Sequence, residues 1–226
     1  MFTGALFDMD GLLLDSERAI MHAWLQVARE RAVRLSPARY ATVVGRNVAE
    51  STALLAPLFG GLDGLQQARQ QVQAVLQAQP PEARFALKPG VAALLGWLAA
   101  REVPCAVASS SSRHEIEHRL TLAGVRGHFR AVAGGDEVPA GKPDPAVYRL
   151  AAQRAGLPAP ACIAFEDSPN GARAALAAGA TLVLVPDLVR PPAALARRSL
   201  CVLPSLQQAL PQAPRWFAHT DTGQQR

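Results

Sequence analysis

The chain opens with a short apolar run, Ala5-Leu6-Phe7, that stops abruptly at Asp8. A run this short reads as a buried β-strand whose C-terminal end carries carboxylates. From Ser16 the period changes: Ile20, Trp24, Leu25 and Ala28 recur at three- and four-residue steps, which predicts a helix with Ser16 as its N-cap. Helical patterning continues to about Gln79. Pro37 opens a second helix, Gly45-Arg46-Asn47 interrupts it, and Asn47 caps a third that runs through Phe59. A Gln- and Ala-rich helix follows Gly60-Gly61, over residues 65–79. No strand-like alternation occurs in this stretch, so it reads as an all-helical insertion. Pro80-Pro81-Glu82-Ala83-Arg84 is the expected return linker.

Beyond the linker, strands and helices alternate. An apolar helix over residues 91–100 precedes the strand Pro104-Cys105-Ala106-Val107-Ala108, which ends at Ser109. A helix from about Arg113 stops at Gly124, Ala131-Val132-Ala133 is a short strand, and Asp144-Pro145 opens another helix. The strand Cys162-Ile163-Ala164-Phe165 ends at Glu166-Asp167, and a helix then runs to Gly179. Thr181-Leu182-Val183-Leu184-Val185 is a further strand, and Cys201-Val202-Leu203 an edge strand. Alternating β and α with continuous apolar strands implies an α/β fold, a Rossmann-like parallel sheet covered on both faces. The expected organisation is a core of residues 1–15 and 81–210, a helical insertion of residues 16–80, and a frayed polar tail over residues 211–226. Sites in such sheets form beyond the carboxyl ends of the strands, at a switch in strand order. Three predicted strands end in polar residues at that edge, at Asp8, at Ser109 and at Glu166-Asp167.

Composition narrows the partners. With 226 residues, half of them hydrophobic, the chain is long enough to bury a sizeable core. The formal charge is +5, but only Lys88 and Lys142 of the 23 basic residues are lysines, and the arginines are scattered from Arg18 to Arg226. Aromatics make up 5% of the chain, too few for a base-stacking platform, so the charge suits an anionic small molecule rather than nucleic acid. Cys105, Cys162 and Cys201 are isolated and without CxxC spacing, which fits reduced thiols in the cytoplasm. The N-terminal segment lacks the basic region of a signal peptide, and no apolar run approaches a membrane span.

The candidate chemistry begins with Asp8 and Asp10. In an extended segment both face one side, and two adjacent carboxylates need a cation or a proton between them. Hard oxygen ligands of this kind fit Mg²⁺. A D-x-D pair is also common in turns, and it gains weight only from Asp167, in Phe165-Glu166-Asp167-Ser168-Pro169-Asn170-Gly171. There Ser168 or Asn170 can cap the next helix without either acid. Lys142, between Gly141 and Pro143, would be a solvated loop lysine if alone; beside acids it balances their charge and grips phosphate as a point charge. Ser109-Ser110-Ser111-Ser112 supplies hydroxyls and free N–H groups at a helix start, an anion site, although Ser112 alone would serve as a cap. The chain has no G-x-x-x-x-G-K-[ST], no G-x-G-x-x-G and no G-x-S-x-G. His114 and His118, one helical turn apart, read as an exposed helix face.

This set resembles the haloacid dehalogenase superfamily of phosphohydrolases. Asp8-Met9-Asp10-Gly11, extended to Leu14-Asp15-Ser16-Glu17, matches the first of its four motifs, Ser109 the second, Lys142 the third and Glu166-Asp167 the fourth. The resemblance spans roughly residues 4–186. It implies that Asp8 attacks phosphorus and becomes an aspartyl-phosphate, while Asp10 protonates the leaving oxygen and then activates water. Mg²⁺ would be held by the Asp8 carboxylate, the Asp10 backbone carbonyl and Asp167, with Glu166 in support. Ser109, Ser110 and Lys142 would bind the phosphoryl group. The helical insertion looks like the small cap of the subgroup that contains phosphoglycolate phosphatases, sugar-phosphate phosphatases and β-phosphoglucomutases. Arg46, in Gly45-Arg46-Asn47, would then face the substrate. Mutase-type members carry a histidine where this chain has Ile20, which favours a phosphatase over a β-phosphoglucomutase-type mutase. Residues 7–17 also look like pseudouridine-5′-phosphatase-type members, a stretch shared by several specificities. Retention of Asp8 and Asp10 argues against a non-catalytic binding protein on the same fold. The expected partner is a small phosphorylated metabolite, with neither nucleic acid nor membrane, acting on a monomeric cytoplasmic chain.

Overall fold

Among the described residues six short strands line up in parallel: Gly4–Phe7 (β1), Cys105–Ala108 (β2), Ala131–Ala133 (β3), Cys162–Glu166 (β4), Thr181–Leu184 (β5) and Cys201–Val202 (β6). Their order in the sheet is β3-β2-β1-β4-β5-β6. The chain steps outward from β1 to β3, then crosses back to pair β4 with the other side of β1, so strand order reverses between β1 and β4. That reversal leaves a crevice at the carboxyl ends of these two strands. This arrangement comes from a computed structural model, which describes residues 1–44, 48–80 and 84–217, with the backbone alone for residues 48 and 49.

Between β1 and β2 lies the helical insertion: Ser16–Glu30 (α1), Pro37–Ala41 (α2), Val48–Leu55 (α3) and Leu62–Ala78 (α4). Its apolar stripes pack into a core of their own, with Trp24 and Val27 of α1, Tyr40 of α2, Phe59, and Leu65 and Val72 of α4. The Trp24 and Phe59 rings meet edge to face, 5.5 Å apart. The two crossings to the sheet run side by side. Asp15 N donates to Ala86 O at 2.8 Å, and Lys88 N donates to Leu13 O at 2.9 Å.

The remaining helices sandwich the sheet: Val91–Ala99 (α5), Arg113–Leu122 (α6), Ala146–Ala155 (α7), Pro169–Ala177 (α8), Ala193–Ala196 (α9) and Ala213–Trp216 (α10). Alternate residues of β1 serve opposite faces, as the period of a strand requires. Ala5 and Phe7 pack with Leu94 and Leu98 of α5 and Ile116 and Leu120 of α6. Leu6 packs with Val147 and Tyr148 of α7 and with the alanines of α8. Phe7 stacks on Phe165 of β4 at 4.9 Å, which ties the two strands at the switch point together.

Two sequence expectations are corrected. Residues 211–217 are no frayed tail: Trp216 and Phe217 are buried in the sheet core, and Phe2 N donates to Trp216 O at 2.8 Å. Two aromatics and an alanine among polar neighbours make no periodic pattern, so their burial leaves no mark in the sequence. Ser16 also does not cap α1. Asp15 holds that position, without a side-chain cap bond, and the Ser16 hydroxyl turns towards Asp10. Among the described residues no helix is long and apolar enough to cross a membrane.

Candidate active site

β1 ends at Phe7, and the next residue, Asp8, emerges at the switch point with its N–H donating to Phe165 O at 3.1 Å. Its Oδ1 accepts from Lys142 Nζ at 2.5 Å, and the same ammonium donates to Glu166 Oε1 at 2.6 Å. Glu166 is fully buried and fully engaged. Tyr148 donates to Oε1 at 3.0 Å, while Ser168 N and Oγ donate to Oε2 at 3.0 and 3.1 Å. The Lys142 side chain is only 6% exposed, far from the solvated loop lysine that it could have been. A buried ammonium needs such partners, since taking it out of water unpaired would be costly.

Asp167, the next residue after β4, brings a third buried carboxylate to the crevice. One oxygen each of Asp8, Glu166 and Asp167 lies within 4.8 Å of the others. Two glycines make room for them. Gly11 has φ +82°, and a β-carbon there would stand 2.4 Å from Asp167 Oδ2; one at Gly171 would stand 1.5 Å from Glu166 Oε1. Three carboxylates against one lysine leave net negative charge, and an all-oxygen hard donor set of that kind fits a divalent cation.

Electrostatics follow from this crowding. Burial pushes the Asp8 carboxyl up to about 7 against the downward pull of Lys142, with Glu166 and Asp10 adding to the rise. Burial, then Glu166 and Asp8, raise Asp167 well above the usual carboxylate range. Burial by itself would lower Lys142, but Asp8 and Glu166 outweigh it and raise the ammonium above its ordinary value. Glu17, at the start of α1, is pushed up to about 7 by burial and by the nearby Asp10 and Asp187.

Asp10 belongs to a different set of contacts. Its Oδ1 accepts from Ser16 Oγ at 2.5 Å and from Arg119 Nη1 at 3.0 Å, and its Oδ2 accepts from Ser111 Oγ at 3.1 Å. Its carboxylate lies outside the three-carboxylate cluster, so a metal role for Asp10 would rest on its backbone carbonyl. The four serines divide their work. Ser112 caps α6 by accepting from Glu115 N, Ser109 is buried and accepts from Ser111 N at 3.1 Å, Ser111 holds Asp10, and Ser110 is exposed. Asp8, Asp10, Ser109, Ser110, Lys142 and Asp167 all line one cavity of about 520 Å³, whose far wall is Glu17 and Ile20 of α1 with Val44. That volume suits a small metabolite. Arg46 lies outside the described residues.

Sequence reasoning missed Arg119, Tyr148 and the Ser16 and Ser111 contacts to Asp10. Arg119 carries a local signal, Glu115 four residues before it, but that signal reads as a surface helix pair. Only the fold brings it to Asp10.

A Rossmann-like parallel sheet with a buried acidic cluster, a lysine and a serine loop at its switch point, and a helical insertion forming the opposite wall, defines a protein of the α/β class with an acidic site able to accommodate a metal ion. Residues 2–179 match the haloacid dehalogenase-like hydrolase family, and the chain belongs to it as an enzyme of the phosphoric monoester hydrolase class. Among its relatives, hexitol phosphatase A of Escherichia coli is 33% identical over 182 residues, covering 80% of this chain and 82% of that protein. A phosphorylated carbohydrates phosphatase of Thermotoga maritima is 28% identical over 174 residues, 77% of this chain and 80% of that protein. The crystal structure of a haloacid dehalogenase family hydrolase from Deinococcus radiodurans, with bound phosphate and sodium, superposes with a TM-score of 0.77 at 30% identity. It covers 95% of this chain and 96% of that one.

Proposed function

We propose that the chain is a Mg²⁺-dependent phosphatase that hydrolyses a small phosphomonoester, of the sugar or polyol phosphate kind, through an aspartyl-phosphate on Asp8. An Asp8 oxygen attacks phosphorus as the ester P–O bond breaks, and the leaving oxygen takes a proton from Asp10. Asp10 then takes a proton from water, which attacks the phosphorus, breaks the bond to Asp8 and releases inorganic phosphate. Lys142 and the Ser109-Ser110 loop hold the phosphoryl oxygens as their charge redistributes. Asp8, the Asp10 backbone carbonyl and Asp167 would hold Mg²⁺, with Glu166 fixed behind them. When bound, the ion offsets the charge of the carboxylates and of the phosphoryl group.

The observation that carries this reading is the Lys142 bridge between Asp8 and Glu166, 2.5 and 2.6 Å long, beside a third buried carboxylate, Asp167. The helical insertion acts as a cap that closes over the substrate and excludes water. Ile20 lines the cavity and His22 is exposed, so α1 offers the cavity no histidine for a mutase-type transfer. The phosphorylated carbohydrate and hexitol phosphatases among the relatives favour polyhydroxylated leaving groups. A phosphate-release screen over sugar phosphates, hexitol phosphates, phosphoglycolate and nucleotides, with and without chelator, tests the proposal. Metal-dependent release from a sugar or hexitol phosphate is expected; release only from nucleotides, or undiminished release in chelator, contradicts it. Glucose 6-phosphate formed from β-glucose 1-phosphate with a bisphosphate primer would instead establish a mutase.

A further inference from the structure

Asp10 is held by three donors of unequal stiffness. The hydroxyls of Ser16 and Ser111 rotate freely and can accept as well as donate, whereas a guanidinium only donates, in a fixed plane. Arg119 Nη1 lies 3.0 Å from Asp10 Oδ1, and Nη2 lies 3.0 Å from Glu115 Oε1, one turn earlier on α6. The guanidinium also sits 5.8 Å from the centre of the Phe85 ring, on the return crossing from the insertion. Both ends of the fork are therefore fixed. Arg119 and Asp10 side chains are 18% and 20% exposed, so their contact is shielded from much of the solvent that weakens surface pairs.

Arg119 lines the cavity, and a cavity-facing arginine could hold a substrate anion. Two carboxylates already engage its terminal nitrogens, which leaves little positive field for a third anion. We propose that Arg119 is a positioning residue for Asp10: it pins Oδ1 and so leaves Oδ2, which among the described residues accepts from the rotatable Ser111 hydroxyl, as the oxygen that exchanges the proton with the leaving group. This inference rests on the proposed proton-transfer role of Asp10. Without the fork, the carboxylate can turn about its own axis, and a proton carrier that is misoriented loses rate steeply.

The test compares phenyl phosphate, whose leaving oxygen needs a proton, with para-nitrophenyl phosphate, whose leaving group departs readily without one. Each is assayed with Mg²⁺ and the intact enzyme. For Arg119→Ala, kcat/KM on phenyl phosphate should fall by about tenfold or more, as for loss of a charge-assisted hydrogen bond, and by much less on para-nitrophenyl phosphate. Added guanidinium ion should restore part of the phenyl phosphate rate. Arg119→Lys keeps the stem and the charge but not the fork, so it guards against a folding defect; it should show the same selective loss, smaller in size. An equal fall on both substrates, or parental selectivity in Arg119→Lys, overturns the inference. Asp10→Asn separates the two layers. If it loses phenyl phosphate activity while the Arg119 variants do not, Arg119 alone is misassigned; if it retains parental activity, the role of Asp10 falls and this inference with it.

Discussion

Gly171, in the first turn of α8, lies so close to Glu166 that a β-carbon on it would stand 1.5 Å from Oε1. Glu166 cannot yield, because Lys142, Tyr148 and Ser168 hold both of its oxygens. Alanine is ordinarily the better helix residue by about 1 kcal/mol. Here the clash outweighs that gain. Gly171→Ala should destabilise the fold by about 1–3 kcal/mol, the usual range for overpacking a buried site. It should also cut turnover by about tenfold or more, since Glu166 fixes Lys142 and a small misplacement of such groups is costly. Thermal melting and steady-state rates check both; parental activity would show that Glu166 need not stay where it is.

Removal of metal gives a second expectation. An ion that binds only the folded carboxylate cluster raises stability, by about 2.7 kcal/mol when it is present at 100 times its dissociation constant. Mg²⁺ should therefore raise the melting temperature of the parent and leave that of Asp167→Asn nearly unmoved. In chelator at pH 8 the order should reverse, with Asp167→Asn melting higher. Burial raises the folded-state pKa of Asp167, so the fold disfavours its charge, and that cost grows as pH rises above the ordinary carboxylate value. A parent whose melting temperature ignores Mg²⁺ would contradict the metal reading.

Acid titration of one ion pair supplies a third. Glu137, just after β3, is held down to about 2 by hydrogen bonds from Arg154, at 2.7 and 2.8 Å, and from Gly134 N. A carboxyl with a depressed folded-state pKa stabilises the fold above its unfolded pKa and stops doing so as pH falls through the folded one. The melting difference between the parent and Glu137→Gln should hold steady near neutral pH, then shrink between about pH 4.5 and about 2. A difference that is the same at pH 7 and pH 3 would contradict the assignment.

Much of the site was legible because its residues sit where strands stop. Asp8, Ser109 and the Glu166-Asp167 pair each follow a buried apolar run, and a parallel sheet gathers such ends on one edge. Lys142 was marked by its scarcity and by the proline beside it. What the sequence hid was orientation and long-range contact. Ser16 has the residue type of a helix cap, yet its hydroxyl goes to Asp10 because Asp15 takes the cap position. Arg119 meets Asp10 across 109 residues of chain, a contact that no local pattern encodes. Trp216 and Phe217 are too sparse for a period, although the core closes around them.

The most direct test of the central claim is to find the phosphoryl group on the enzyme. Asp10→Asn, mixed with phosphorus-labelled para-nitrophenyl phosphate, whose leaving group departs without a proton, and quenched in acid, should accumulate a hydroxylamine-sensitive phosphoenzyme whose label maps to Asp8. Asp8→Asn should fold, form no such species, and lose about a thousandfold or more in kcat, as removal of a nucleophile does. A label on another side chain, or parental turnover in Asp8→Asn, would contradict Asp8 as the attacking group.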